Sequence, residues 1–313
     1  MKNSDSPLGL YIHIPFCQSI CHYCDFAKTA HFTPDLVKKV FTKLENYLDF
    51  FLHQYAKEKE ICSFFIGGGT PSLFSEEYKP LFAKVLPKLA ANAEITLEAN
   101  PNDLTEEKLS FYKALGINRI SLGVQTFSEE GLRFLKRDHD AAKARKSIEL
   151  AQNFFENITV DLIYGWPEQT KKIWREDIET LIQMGVPHLS LYNLIYEANT
   201  PIGRAKNRGK IKDKSDAMHF SLYEKACERL AKASFIQEEV SNWGKPGFLA
   251  QHNQLYWTDA HFIGVGSGAW GYLPAQDKIG TRYQFTPKER AFARIDFRPT
   301  TLSDFTQQEL ITI

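Results

Sequence analysis

The sequence predicts an α/β protein with a curved, open sheet of six parallel strands, helices on its outer side and a smaller C-terminal part. Three observations lead there. Short apolar runs alternate six times with helical stripes between residues 10 and 193. Gly, Pro or Asn-Pro punctuates most of the runs. Six strand–helix units are fewer than the eight that close a barrel, so the expected shape is a partial (β/α)6 barrel, TIM-like but open.

Each element has a local reason. Residues 10–14 are an apolar run stopped by Pro15 and read as the first strand. Thr33-Pro34 caps and opens a helix whose stripe runs through Leu36, Val40, Leu44, Leu48 and Leu52. Residues 62–66 form the second strand, stopped by three glycines, and a helix follows over 76–89. The third strand spans 94–98 and closes at Asn100-Pro101. The next helix, 105–115, ends at Gly116. The fourth strand covers 117–124, with helices over 128–135 and 141–155. The fifth strand is 158–163, the following helix 173–184 is ended by Gly185, and 187–193 is the sixth strand. Residues 199–215 are the most loop-like stretch and mark a seam. Two parts are therefore expected, 1–200 and 201–313.

Composition excludes several classes. The formal net charge is zero and hydrophobic residues make up 43%. There is no basic excess for nucleic acid. No run is long and apolar enough to cross a bilayer, and the first seven residues carry no apolar leader. Five cysteines in 313 residues are too sparse for a disulfide scaffold. A reducing cytoplasm is the expected setting.

Three of those cysteines stand together as Cys17, Cys21 and Cys24. Three thiolates on one loop hold three corners of a four-iron cluster and leave the fourth iron with an open position, where a small molecule binds and is activated. A zinc site wants a fourth Cys or His at tetrahedral reach, and His22 sits awkwardly inside the motif. Cys62 and Cys227 fit better as core residues on a strand and a helix. Other polar groups fall at the same strand ends. Gly67-Gly68-Gly69-Thr70-Pro71 follows the second strand, Glu98 ends the third, Gln125 follows the fourth and Asp161 lies within the fifth. Strand ends are where loops converge on a site in such folds.

Those residues resemble a known family. Cys17-x3-Cys21-x2-Cys24 is similar to the motif of radical S-adenosylmethionine (SAM) enzymes. Tyr11-Ile12-His13-Ile14-Pro15-Phe16-Cys17, the Gly67–Pro71 segment, Leu97-Glu98-Ala99-Asn100-Pro101, Ser121-Leu122-Gly123-Val124-Gln125-Thr126-Phe127 and Asp161-Leu162-Ile163-Tyr164-Gly165 together resemble the oxygen-independent coproporphyrinogen III oxidase family. That family divides into the oxidase proper and HemW-type heme chaperones. The chaperone branch fits better. The oxidase carries a further cysteine where Phe26 stands, and a longer segment precedes its cluster loop. His252-Asn253-Gln254-Leu255-Tyr256-Trp257 also resembles the HNxxYW motif associated with heme in the chaperones.

The resemblance implies roles. Cys17, Cys21 and Cys24 bind a 4Fe-4S cluster whose open iron takes the amino and carboxylate groups of SAM. Tyr11, Tyr23, Gly68, Gly69, Thr70, Glu98, Gln125, Arg137 and Asp161 match positions around SAM. The glycines let backbone approach the ligand; the alternative is a plain strand-to-helix turn, and a phosphate loop lacks its Lys-Ser/Thr. Tyr23 packs on adenine or is a core aromatic. Arg137 clamps a carboxylate or forms a surface ion pair. His252 is an axial heme ligand or a hydrogen-bonded structural residue, with Asn253, Tyr256 and Trp257 beside the porphyrin.

Two departures stand out. The family commonly shows His where this chain has Trp270, and relatives continue into a helical C-terminal domain of which residues 300–313 look like the beginning. A shortened chain is expected to bind heme more weakly. The expected partners are a heme-accepting protein and an electron donor for the cluster, with membrane contact only through a membrane-bound acceptor; a homodimer stays open. The rival readings are the oxidase itself, decarboxylating coproporphyrinogen III, and a cluster-bearing scaffold without either activity.

Overall fold

The structure, a computed structural model, describes residues 7–57, 59–258, 260–273, 281–287, 295–300 and 311–312. Six parallel strands form its centre in chain order: β1 (Leu8–Ile14), β2 (Ile61–Gly68), β3 (Leu89–Ala99), β4 (Arg119–Gln125), β5 (Asn157–Tyr164) and β6 (His188–Asn193). Between them run α1 (Pro34–Tyr55), α2 (Tyr78–Val85), α3 (Glu106–Leu115), α4 (Glu129–Leu135), α5 (Ala141–Gln152) and α6 (Lys171–Gln183). The expected six strand–helix units and the open sheet are both present.

Caps decide where helices start and stop. The Thr33 hydroxyl accepts from Leu36 N with Pro34 in the first turn of α1. Thr105 caps α3 in the same way, and Gly116 ends it at φ +101. Thr170 caps α6, which therefore begins two residues before the expected start at 173. The helix expected over 76–89 is shorter. Pro87 has no N–H to donate, so α2 stops at Val85 and a 3-10 turn, Leu86–Lys88, leads into β3.

The seam at 199–215 is only partly a loop. Thr200 accepts from Gly203 N, with Pro201 in the first turn, and α7 (Pro201–Asn207) forms there. The Thr-Pro pair that reads as a loop signal is here a helix start. Then come α8 (Asp216–Lys232), β7 (Ile236–Gln237), β8 (Asn242–Gly244), α9 (Gln251–Leu255), β9 (His261–Val265), β10 (Trp270–Leu273), β11 (Thr281–Pro287), β12 (Ile295–Thr300) and β13 (Ile311–Thr312). Residues 311–312 pair with β12 as strand, not helix, while 301–310 and 313 lie outside the described residues. Strands on both sides of residue 200 share one sheet, ordered β13-β12-β11-β10-β9-β1-β2-β3-β4-β5-β6-β8-β7. β9 lies parallel to β1, with Leu8 beside His261 and Ile12 beside Val265.

The two faces of the sheet differ. Leu10, Ile12, Ile14, Phe64, Ile66, Leu97, Ile120, Leu122, Val160, Leu162 and Leu189 are buried in the apolar core with the helix stripes. The alternate positions carry polar groups: His13, Ser63, Glu94, Thr96, Arg119, Ser121, Thr159, His188 and Ser190 are all buried. The inner face is thus polar, and it encloses a cavity of about 760 Å³ that runs from the cysteine loop to α9.

Candidate functional site

The cysteine loop leaves β1 at Pro15 and is fastened at both ends. Cys17 N donates to Thr29 O (3.0 Å), Thr29 N to Pro15 O (2.7 Å) and His22 N to Leu135 O (3.2 Å). Beneath it, Gly69 N donates to Ile14 O at 2.7 Å. A Cβ on Gly69 would lie 2.6 Å from Phe16 O and 2.9 Å from Cys17 Sγ. One on Gly68, at φ +116, would meet the His13 ring at 2.8 Å. The second strand ends in glycine because the cysteine loop and His13 occupy that space.

All three motif cysteines are free thiols, as are Cys62 and Cys227. Burial pushes the Cys17 thiol up to about 11, against a hydrogen bond from Thr70. Burial raises Cys24 too, with Lys28 opposing. Arg137 donates from Nη1 to Cys21 Sγ (3.1 Å) and from Nη2 to Gly123 O (2.7 Å), and its buried Nε has no partner. A buried thiol becomes a thiolate when a metal takes it, and Lys28 and Arg137 supply cations for that charge. Among the described residues no three Cys, His, Asp or Glu side chains stand close enough to share one metal ion. Ligands of a cluster bind different irons, so they stand further apart than ligands of a single ion. The donor set fits a cluster.

The cavity wall below the loop carries Tyr11, Gly68, Glu98 and Asp161 of the positions matched to SAM, while Tyr23, Gly69, Thr70, Gln125 and Arg137 lie outside its lining. The Tyr11 hydroxyl is 3.0 Å from His13 Nδ1, and His13 Nε2 is 2.7 Å from Ala27 O. A carbonyl only accepts, so Nε2 carries the proton and Nδ1 accepts from Tyr11. Burial lowers His13 to about 4 and keeps it neutral. Gln125 ends β4 at φ +75, after a register shift between Gly123 and Gln125. A strained residue beside a bulge at a strand end is a common mark of a functional site. Tyr23 packs partly buried against the cluster of Leu135, Trp166 and Ile202, which is the core-aromatic alternative.

Two carboxylates share the cavity wall, Glu98 on β3 and Asp161 on β5 with β4 between them. Glu98 accepts from Gly68 N at 2.9 Å. Burial, with the Asp161 charge adding to it, pushes Glu98 up to about 8. Burial likewise raises Asp161 to about 6, opposed by hydrogen bonds from Ser190 and Ser121. The folded chain therefore keeps a proton on Glu98 that the unfolded chain releases above about pH 4.5. Stability from this site is full below that pH and is lost as pH rises through about 8. Glu98→Gln is expected to raise Tm at pH 8 and leave it unchanged at pH 4, read by calorimetry on the cluster-free protein; equal shifts at both values would refute the assignment.

The heme-associated motif lies at the opposite end of the cavity. His252 is buried, and both ring nitrogens are engaged: Nδ1 with Ser63 Oγ (2.8 Å) and Nε2 with Tyr256 OH (2.9 Å). Coordination of iron by His252 requires Nε2 to leave Tyr256. Asn253 lines the same cavity and its buried Nδ2 has no partner. Trp257 points outward and is exposed.

The structure thus gathers Tyr11, Gly68, Glu98, Asp161, His252, Asn253 and Tyr256 on one cavity. Trp257 is not on it. The sequence reading missed a buried ladder at its lower end, Glu94–Arg119–Thr159–His188–Glu238. Its signal was available: Glu94 and Arg119 are charges at the starts of apolar strands, on the positions that alternate inward.

Comparison with known proteins agrees with this architecture. Residues 11–181 match the radical SAM superfamily. The chain is 37% identical over 282 residues to the heme chaperone HemW of Lactococcus lactis, covering 89% of this chain and 72% of that protein. It is 38% identical over 296 residues to HemW of Escherichia coli, covering 91% and 75%. The solved structure of Escherichia coli coproporphyrinogen III oxidase (HemN), a radical SAM enzyme, superposes with a TM-score of 0.76 at 22% identity, over 92% of this chain and 68% of that one. That likeness bears on the fold. The chain belongs to the radical SAM superfamily and, within it, to the family of HemW heme chaperones.

Proposed function

We propose that the protein is a cytoplasmic heme chaperone that binds heme and passes it to a heme-accepting protein. Superfamily membership implies a 4Fe-4S cluster and SAM. In this reading Cys17, Cys21 and Cys24 hold the cluster, which supplies an open iron for SAM and a route for an electron from a donor protein. Tyr11, Tyr23, Gly68, Gly69, Thr70, Glu98, Gln125, Arg137 and Asp161 surround SAM. Residues 1–200 carry these groups, and residues 201–313 add His252, Asn253 and Tyr256 on the heme side, with Trp257 outside the cavity. The observation that carries the reading is the three free thiols on a loop tied down at the mouth of a polar cavity, with Phe26 where the oxidase branch has a further cysteine. Among the described residues no helix is long and apolar enough to cross a membrane.

The raised carboxyls fit a cationic ligand. A neutral Glu98 ionises when an ammonium or sulfonium arrives, because the new charge offsets its desolvation. The test is anaerobic reconstitution followed by titration with heme, read by visible absorption, and incubation with coproporphyrinogen III and SAM. Stoichiometric heme uptake without conversion of the porphyrinogen is the expected result. Turnover of coproporphyrinogen III with consumption of SAM would overturn the chaperone in favour of the oxidase.

A further inference from the structure

We propose that Ser63 is a positioning residue for His252: its oxygen accepts the Nδ1 proton, so that Nε2 meets heme iron as a bare lone pair. This rests on the heme-chaperone reading, with His252 as the ligand. The ring is buried, and each of its nitrogens faces a hydroxyl, not a carboxylate. Such an imidazole stays neutral and carries one proton, and iron takes the nitrogen without it. Ser63 and Tyr256 can each donate or accept, so these two bonds alone do not place the proton.

What lies behind Ser63 does. The register of β2 skips Cys62 against both β1 and β3, and a bulged residue escapes the strict alternation of a strand. Burial raises the Cys62 thiol, and a hydrogen bond from Ser63 opposes it. Only a bond donated to sulfur has that effect, so the Ser63 O–H is turned to Cys62. The thiol in turn donates to Leu8 O at 3.5 Å. A carbonyl only accepts, which gives the row one direction. Cys62 S–H goes to Leu8 O, Ser63 O–H to Cys62 Sγ, His252 Nδ1–H to Ser63 Oγ (2.8 Å) and Tyr256 O–H to His252 Nε2 (2.9 Å). Tyr256 suits its end, because a phenol donates better than it accepts. The ring is held on its other sides too: Glu94 accepts from His252 N, and the Phe65 ring packs 5.2 Å away. Tyr256 is the member able to leave, 44% exposed at the C-terminal end of α9. Iron then displaces a hydrogen bond and not a proton.

The first measurement is on the heme-free protein, isotope-labelled at histidine nitrogen, where nitrogen–proton correlations across the ring show which atom of His252 is protonated; His252→Ala assigns the signals. The proton is expected on Nδ1 in the unaltered protein and on Nε2 in Ser63→Ala. It is expected on Nε2 in Cys62→Ala as well, because Ser63 O–H loses its sulfur and turns to Nδ1, and this variant decides if Ser63→Ala fails to fold. A proton on Nε2 in the unaltered protein would overturn the proposal. On heme titration, followed in the Soret band, Ser63→Ala is expected to bind roughly ten-fold or more weaker. The iron–histidine stretching frequency of its ferrous complex should fall, because an Nδ1–H without an acceptor leaves the ring a weaker base. A role in packing alone would leave that frequency unchanged, and this outcome also overturns the proposal. Heme uptake that survives His252→Ala removes the ligand and the positioning role while the chaperone reading stands. If the unaltered protein takes up no heme at all, both fall.

Discussion

Replacing any one of Cys17, Cys21 or Cys24 by Ala is expected to cut the iron and sulfide retained after anaerobic reconstitution to below about a tenth, and to remove the paramagnetic signal of the reduced cluster. The reason is geometric. Each thiolate takes a different iron, and with three protein ligands there is none to spare. The fold should survive, because the loop is tied by backbone bonds such as Cys17 N to Thr29 O and His22 N to Leu135 O, none of which uses a sulfur. Far-ultraviolet circular dichroism therefore serves as the control, and Cys62→Ala and Cys227→Ala should load normally. A Cys21→Ala protein with a full complement of iron would end the cluster assignment, and with it the SAM site built above it.

Arg119→Met is expected to destabilise the cluster-free protein by about 3–5 kcal/mol, seen in urea unfolding. Arg119 and Glu94 are 3% and 4% exposed, with Nη1 at 2.9 Å from the carboxylate. The arginine also donates to Thr159 Oγ1. The Thr159 hydroxyl lies 3.1 Å from His188 Nδ1, and His188 Nε2 lies 2.8 Å from Glu238. Burial lowers His188 and favours its neutral form. Its one proton then goes to the carboxylate, and Nδ1 accepts from Thr159. Each nitrogen and hydroxyl donor atom of the ladder reaches an acceptor. The two end carboxylates also hold α9: Glu94 accepts from Gln251 N and His252 N, and Glu238 accepts from Ala250 N. Removing the guanidinium leaves Glu94 buried without its cation. Glu94→Gln combined with Arg119→Met should therefore cost less than Arg119→Met alone. Equal losses would mean that the charge on Glu94 is not what the arginine balances.

Much of the barrel was legible because its signals are local. Thr33-Pro34, Thr105 and Gly116 are caps, and caps depend on a few neighbouring residues. The cysteine spacing and the glycine run were legible for the same reason. What the sequence hid depends on distant partners. The purpose of Gly69 is visible only when Phe16 and Cys17 lie over it. The engagement of His252 by Ser63, 189 residues away, has no trace in its own neighbourhood. Thr200-Pro201 misled because Thr-Pro opens both helices and loops, and only the bond to Gly203 N decides between them. The parallel placement of β9 against β1 was likewise beyond any periodicity argument.

That placement has a consequence for how the chain is made. The strand that leads into the cysteines leaves the ribosome well before β9, and β2 follows it early. Its other neighbour, residues 261–265, is synthesised about 250 residues later. Until then one edge of β1 offers bare N–H and C=O groups to any extended segment nearby, and nascent chains with such an edge are prone to aggregate. Ala27 also waits for Gly268 before its loop has a backing. A translation arrest before residue 261 should therefore leave a product that is both sticky and unable to keep iron.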